Sequence, residues 1–260
     1  MLLTIIFLFL AGIVAGLLAS TAGLASVASY PALLAVGLPP VLANVTNTAA
    51  LIFSGLGAIT SSIKELRGHW RQVSLFVVLS LLGSVGGSWL LLAAPAESFE
   101  KVVPFFILIA AVMLLLSGRE TGSSTDALKA ARQHPLKRFL ILLASYLGIV
   151  LVGAYTGYFG AAGGVLFLAF LSVILDDDFA VVNAIKNVIA FAGNFVATVI
   201  FVFRSHIVWH FVLVMGIGLF IGGYLGPVIV RHVNIKLLRS LIALAAIVLA
   251  VNLFVKAYFK

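Results

Sequence analysis

No Asp, Glu, Lys, Arg or His occurs in the first 63 residues; Lys64 is the first charge. A soluble domain places a charge about every fourth residue. A chain that begins with so long an uncharged run has no way to hide it from water in a globule of ordinary size. The whole 260-residue sequence follows suit, with 63% hydrophobic and 9% charged residues. Its solvent is therefore lipid, and the chain reads as an all-α, polytopic membrane protein. Strands are excluded because an open sheet edge stays unsatisfied in hydrocarbon.

Ten apolar segments are expected, at about 2–19, 24–37, 41–61, 72–94, 101–117, 139–157, 161–175, 179–203, 208–230 and 237–257. A spanning helix needs about 20 apolar residues. The second and seventh segments are shorter and rich in Gly, Ala and Ser, which suits broken or re-entrant helices. The apolar N-terminus lacks a basic lead and reads as a first membrane helix rather than a cleaved signal. Residues 118–138 form the longest polar stretch, a cytoplasmic linker with a short helix expected around 126–134. They divide the chain into a first transmembrane repeat, 1–117, and a second, 139–260.

The halves match each other in order. Gly12-x3-Gly16 corresponds to Gly153-x3-Gly157, and Asn44-Val45-Thr46-Asn47 to Ala184-Ile185-Lys186-Asn187. Gly68-His69-Trp70 corresponds to Ser205-His206-Ile207, and Gly83-x3-Gly87 to Gly218-x3-Gly222. A single Gly-x3-Gly means only close helix packing. The ordered series implies duplication, the usual plan of a transporter with its site at the repeat interface.

The net charge of +8 is that of a membrane protein's cytoplasmic loops, with no aromatic-basic patch for nucleic acid. With ten crossings, Lys64, Arg67, Arg71, Arg119, Lys129, Arg132, Lys137, Arg138, Arg231, Lys236 and Arg239 lie inside. Lys101, Arg204, Lys256 and Lys260 lie outside. The halves are then inverted. Making segments two and seven re-entrant exchanges Arg204, Lys256 and Lys260 for Arg231, Lys236 and Arg239, so the balance of charge does not choose. The inverted arrangement is preferred because it keeps the 231–239 cluster inside.

Lys186 is the one charge inside an apolar segment and away from its ends. It lies eight residues past Asp178, about 12 Å along a helix. An intramembrane cation is costly and marks a functional site by default, here one for an anion. The competing reading is a lysine snorkelling towards Asp176, Asp177 and Asp178. Asn183, Asn187 and Asn194 share its helical face by i, i+4 and i+11 spacing. The first half offers Asn44, Thr46, Asn47 and Thr48. If the halves pack about a pseudo-two-fold axis, Asn47 and Asn187 face each other. Amides with one cation can replace the hydration shell of an oxyanion; the alternative is interhelical glue. Small-residue runs around Gly23 and Gly160–Gly164 would expose backbone N–H groups to an anion, or simply pack tightly.

No cysteine is present, so neither disulfide nor thiolate chemistry is available. No metal site, cofactor motif, hydrolase motif or phosphate-binding loop occurs, and an enzyme is not expected. No acid lies within an apolar segment, which removes the usual proton relay.

These motifs resemble the TauE/SafE family, also called TSUP. The family repeat carries a Gly-rich break followed by Pro-x-Leu, then a polar signature. Gly23, Pro31-Ala32-Leu33 and Asn44-Val45-Thr46-Asn47-Thr48 match it in the first half. Gly160-Ala161-Ala162-Gly163-Gly164 and Asn183-Ala184-Ile185-Lys186-Asn187 match it in the second. The first Gly run is reduced to Gly23, and Ala169 stands where the second Pro is expected. The resemblance implies transport of sulfite or organosulfonates across the bacterial inner membrane. The anion's sign comes from Lys186; sulfur comes from the resemblance alone. The expected site is Lys186, Asn187, Asn183, Asn47, Asn44, Thr46, Gly23, Gly163 and Gly164, acting by alternating access. An anion channel and a non-transport assembly factor are the alternatives. The expected partners are a small anion and the bilayer, and the sequence leaves room for a homo-oligomer.

Overall fold

The computed structural model describes residues 2–116, 135–230, 244, 247–248, 250–255 and 257–259. The expected linker helix and most of the tenth segment lie outside the described residues. Among those described, every regular element is helical.

In chain order the helices are α1 Leu2–Ala22, α2 Ser26–Ala35, α3 Pro40–Ser61, the one-turn α4 Ile63–Leu66, α5 Trp70–Ala93 and α6 Ala96–Leu116. The second half holds α7 Pro135–Tyr158, α8 Gly163–Ile174, α9 Phe179–Arg204 and α10 Trp209–Val230. Six of these, α1, α3, α5, α7, α9 and α10, are long and apolar enough to span a bilayer. α2 and α8 have 10 and 12 residues. At 1.5 Å per residue they reach about 15 and about 18 Å, against a core about 30 Å thick. They are the two short helices anticipated from the small-residue segments.

Several ends fall outside the expected bounds. α1 runs to Ala22 because small residues continue the helix until Gly23, which adopts φ +73°. α6 begins at Ala96, taking in Glu97, Glu100 and Lys101; a Lys101–Glu97 pair at 2.7 Å bridges one turn. Charges marked the segment's edge in sequence, yet they are tolerated on a helix that starts outside hydrocarbon. Pro39 and Pro40 open α3, where a missing N–H costs nothing. Pro31 lies inside α2.

The glycine motifs pair across the halves. A methyl added at Gly12 would strike the Met215 carbonyl and one at Gly16 the Leu219 carbonyl, so α1 lies backbone to backbone on α10. Gly153 faces Ser80 and Gly157 faces Ser84, so α7 lies on α5 in the same way. In both pairs the residue numbers rise together, so the partners run in one direction. α3 accompanies α10, with Thr46 Oγ1 accepting from the Val208 N–H and Gly57 packed on Phe220 and Tyr224. α9 accompanies α5, with His69 against Asp177 and Ser84 Oγ donating to the Gly193 carbonyl. α1 and α3 thus embrace α10, and α7 and α9 embrace α5, reciprocally.

Two buried clusters fill the interior. One joins α1–α3 to α6 and α10; the other joins α5, α7, α8 and the start of α9.

Candidate functional site

The site forms where the two chain breaks meet. α1 ends at Ala22 and α2 starts at Ser26; α7 ends at Tyr158 and α8 starts at Gly163. A methyl added at Gly23 would collide with the Gly164 backbone, and the reverse collision holds too. Gly23 therefore serves twice, in a left-handed turn and in a contact no side chain permits. Gly160 has φ +75° and Ala162, a non-glycine residue, φ +61°. The second break is thus tighter and carries backbone strain at Ala162. The Tyr155 hydroxyl braces it by donating to the Ala161 carbonyl.

Asparagines tie these breaks to the opposite halves. Asn183 Nδ2 donates to the Ser20 carbonyl at 2.8 Å, and Asn44 Nδ2 to the Tyr158 carbonyl at 2.9 Å. The last carbonyls of a helix have no partner within it, so each amide caps the broken helix of the other half of the chain. Lys186 Nζ donates to the Ala19 carbonyl at 2.8 Å and approaches that of Ser20 at 3.5 Å. Asn187 Nδ2 is also 3.5 Å from Ser20 O. The negative end of α1 thus faces a cationic side chain, a favourable alignment with the helix dipole.

Lys186 is 0% exposed and forms no salt bridge among the described residues. It does not reach Asp176, Asp177 or Asp178. Asp177 pairs instead with His69 at 3.2 Å.

Beside Lys186 lies a cavity of about 60 Å³. One water needs about 10–15 Å³ by this measure, so a few waters or one compact oxyanion fit. Of the expected residues, Lys186, Asn187, Gly23 and Gly164 line it. Asn47 stands one contact behind, donating to Ser26 Oγ at 3.1 Å, and Ser26 lines the cavity. Asn47 and Asn187 share no hydrogen bond; each turns to the first break. Asn44, Asn183 and Thr46 hold helix ends rather than the cavity wall. Gly163 packs on the Thr156 methyl.

Ser26, Thr48, Ser54, Thr156 and Asn194 also line the cavity. Asn194 was legible through its helical spacing from Lys186. Ser54 and Thr156 carried no signal, since an isolated hydroxyl in an apolar helix commonly bonds its own backbone, as Thr156 does to Gly153. Phe159, Phe167 and Phe191 supply the apolar wall. Ser26 and Gly164 sit in first helical turns, where N–H groups lack intrahelical partners. Two helix N-termini and one lysine therefore give the cavity a positive lining. Among the described residues no group of three His, Asp or Glu could hold a metal.

The family profile described as "Sulfite exporter TauE/SafE" matches residues 8–253. The chain belongs to the TauE/SafE family. Relatives of this multi-pass membrane protein carry transporter names. A "Probable membrane transporter protein ORF9" from Sinorhizobium is 28% identical, over 95% of this chain and 91% of the relative. A "Probable membrane transporter protein" from Haemophilus influenzae is 24% identical, over 95% and 92% of the two chains. "Probable membrane transporter protein YfcA" from Escherichia coli K12 is 23% identical, over 95% and 88%. No solved structure shows significant similarity to it.

Proposed function

We propose that this TauE/SafE protein carries a small anion, sulfite or another sulfur oxyanion or an organosulfonate, across the bacterial inner membrane. The observation that carries the anion reading is Lys186: fully buried, without an acid partner among the described residues, on the wall of a cavity beside two helix N-termini. Desolvating a cation costs several kcal/mol. Carbonyls at the α1 terminus offset about 2 kcal/mol at most. A bound anion would supply the rest. Asn187 and Asn194 would donate to its oxygens, with the Gly164 backbone approaching where no side chain intervenes. The phenylalanine wall would exclude water. The choice of sulfur among oxyanions is supported by the family description and by nothing in the cavity's chemistry.

The two halves are read as inverted repeats. α1, α3 and α10 run one way; α5, α7 and α9 share the other direction. The short 62–69 connection turns α3 back into α5, which makes the two sets antiparallel. Corresponding helices of the halves then point opposite ways, as in transporters that rock one repeat against the other. Both termini would lie outside and the 118–138 linker inside.

Purified protein in liposomes should take up sulfite. Lys186→Ala should weaken binding by about 2–5 kcal/mol and so lower flux at least about tenfold at low substrate. Undiminished flux would refute the charge assignment. Unitary currents without saturation would instead identify an anion channel.

A further inference from the structure

A second cavity, of about 240 Å³, is lined by Tyr30, Leu34, Leu38, Pro40, Glu100 and Val103, with Leu253 and Ala257. It lies between α2, the start of α3 and the start of α6. Its lining is not purely apolar. Tyr30 is 0% exposed and its hydroxyl has no hydrogen-bond partner among the described residues. Glu100 faces the same space. Buried polar groups in a cavity this large hold water, whereas dry cavities are apolar throughout.

Phe159 lies between the linings of this space and of the Lys186 cavity. Phe159 lines the central cavity. Its ring also meets Tyr30 edge-on at 5.1 Å, and it contacts Phe99 at 5.7 Å and Phe106 at 5.8 Å. Phe159 is 2% exposed and sits in the second break, between the end of α7 and Gly160. The left-handed residues Gly160 and Ala162 follow directly, so its backbone lies at a hinge rather than within a helix. The Asn44–Tyr158 hydrogen bond fixes the residue just before it.

We propose that the Tyr30–Glu100 cavity is a hydrated vestibule of the transport path, and that Phe159 is the gate between it and the Lys186 cavity. The path is that of the small anion under the reading above, on which the proposal rests. The vestibule opens where α3 and α6 begin, at the end of the molecule away from Lys64 and Arg67. By the positive-inside rule this is the outer face. Ring contacts, edge-on with Tyr30 and Phe99 and stacked on Phe106, hold Phe159 in place without a hydrogen bond that must break. A rotation of the Phe159 side chain therefore moves the ring without breaking a side-chain hydrogen bond.

The chain contains no cysteine, so single cysteines report cleanly in the full-length protein. Leu34→Cys lines the vestibule and Ala190→Cys the central cavity. With a membrane-impermeant methanethiosulfonate added outside intact cells, Leu34→Cys should react readily and Ala190→Cys slowly. Adding Phe159→Ala should speed the Ala190→Cys reaction several-fold; Phe159→Leu, which keeps the apolar packing, should give an intermediate rate. Leu34→Cys protected from the outside would overturn the vestibule. An Ala190→Cys rate indifferent to both Phe159 substitutions, in protein that remains monodisperse in detergent, would overturn the gate. Labelling requires no substrate. The expected labelling pattern with no flux of any sulfur oxyanion would strike down the anion reading and leave the gate standing.

Discussion

At the scale of single residues, the structure gives Lys186 two roles that make opposite predictions. As a clamp on the α1 terminus it would stabilise the fold. As a binding group awaiting an anion it would burden the ligand-free protein with an uncompensated charge. The Ala19 carbonyl that Lys186 contacts already accepts from the Gly23 N–H at 2.9 Å, so losing the lysine orphans little. Replacing a buried charge by an apolar side chain of similar volume is often neutral or stabilising by about 1–4 kcal/mol. Lys186→Met should therefore melt at an equal or higher temperature in detergent while transport is lost. A marked fall in melting temperature would assign the lysine a structural role. Gly23 carries the reverse expectation. Gly23→Ala should cost more than the ~1–2 kcal/mol of a left-handed alanine, because its methyl also meets the Gly164 backbone. Thermal unfolding measures it.

At the scale of helices, neighbouring glycines in one sequence motif do different things. Gly87 lies on the Ala154 backbone, whereas no atom of the described residues stands within 4 Å of the position a methyl would take at Gly86. Gly87→Ala should separate α5 from α7 and destabilise the protein. Gly86→Ala should be neutral or stabilising by about 0.5–1 kcal/mol, since alanine loses less backbone entropy in a helix. Melting curves of the two variants decide between this arrangement and a loose pairing of the helices. The Gly-x3-Gly repeats were plain in the sequence as packing motifs. Their partners were not, because any such motif can accept any other; only the folded chain shows Gly12 and Gly16 set on α10 rather than within their own half. The short α2 and α8 were legible for a simpler reason. Their length and small-residue borders suit helices broken within the membrane.

At the scale of the whole molecule, the parallel sets α1, α3, α10 and α5, α7, α9 bear on what charge counting left open. Two arrangements of the loops place cations equally well. The His69–Asp177 and Thr46–Val208 contacts bring those helix ends together and support the proposed inverted arrangement. It predicts that Lys64→Cys reacts with impermeant reagent only from inside and Arg204→Cys only from outside; labelling of both from one face would overturn it. The His69–Asp177 pair marks that face without holding it together. Its side chains are 23% and 31% exposed, and Asp177→Asn should cost less than about 1 kcal/mol, as thermal unfolding would report.

Sequence alone determined the solvent of this protein and the residue of greatest interest. The uncharged opening run admits only lipid, and a single lysine inside an apolar segment stands out because its burial is expensive wherever the chain places it. Both are one-dimensional properties, set by transfer energies that do not depend on the fold. What the lysine faces was decided by tertiary structure. The amides beside it divide between the cavity wall and the caps of broken helices, according to which carbonyls the opposite half brings within reach. Asn44 and Asn183 carry the same side chain as Asn187 and sit in the same motifs, yet they secure helix ends. Hydrogen bonding is short-ranged and directional, so the roles of identical residues separate only once two distant breaks, at Gly23 and Gly164, are pressed together.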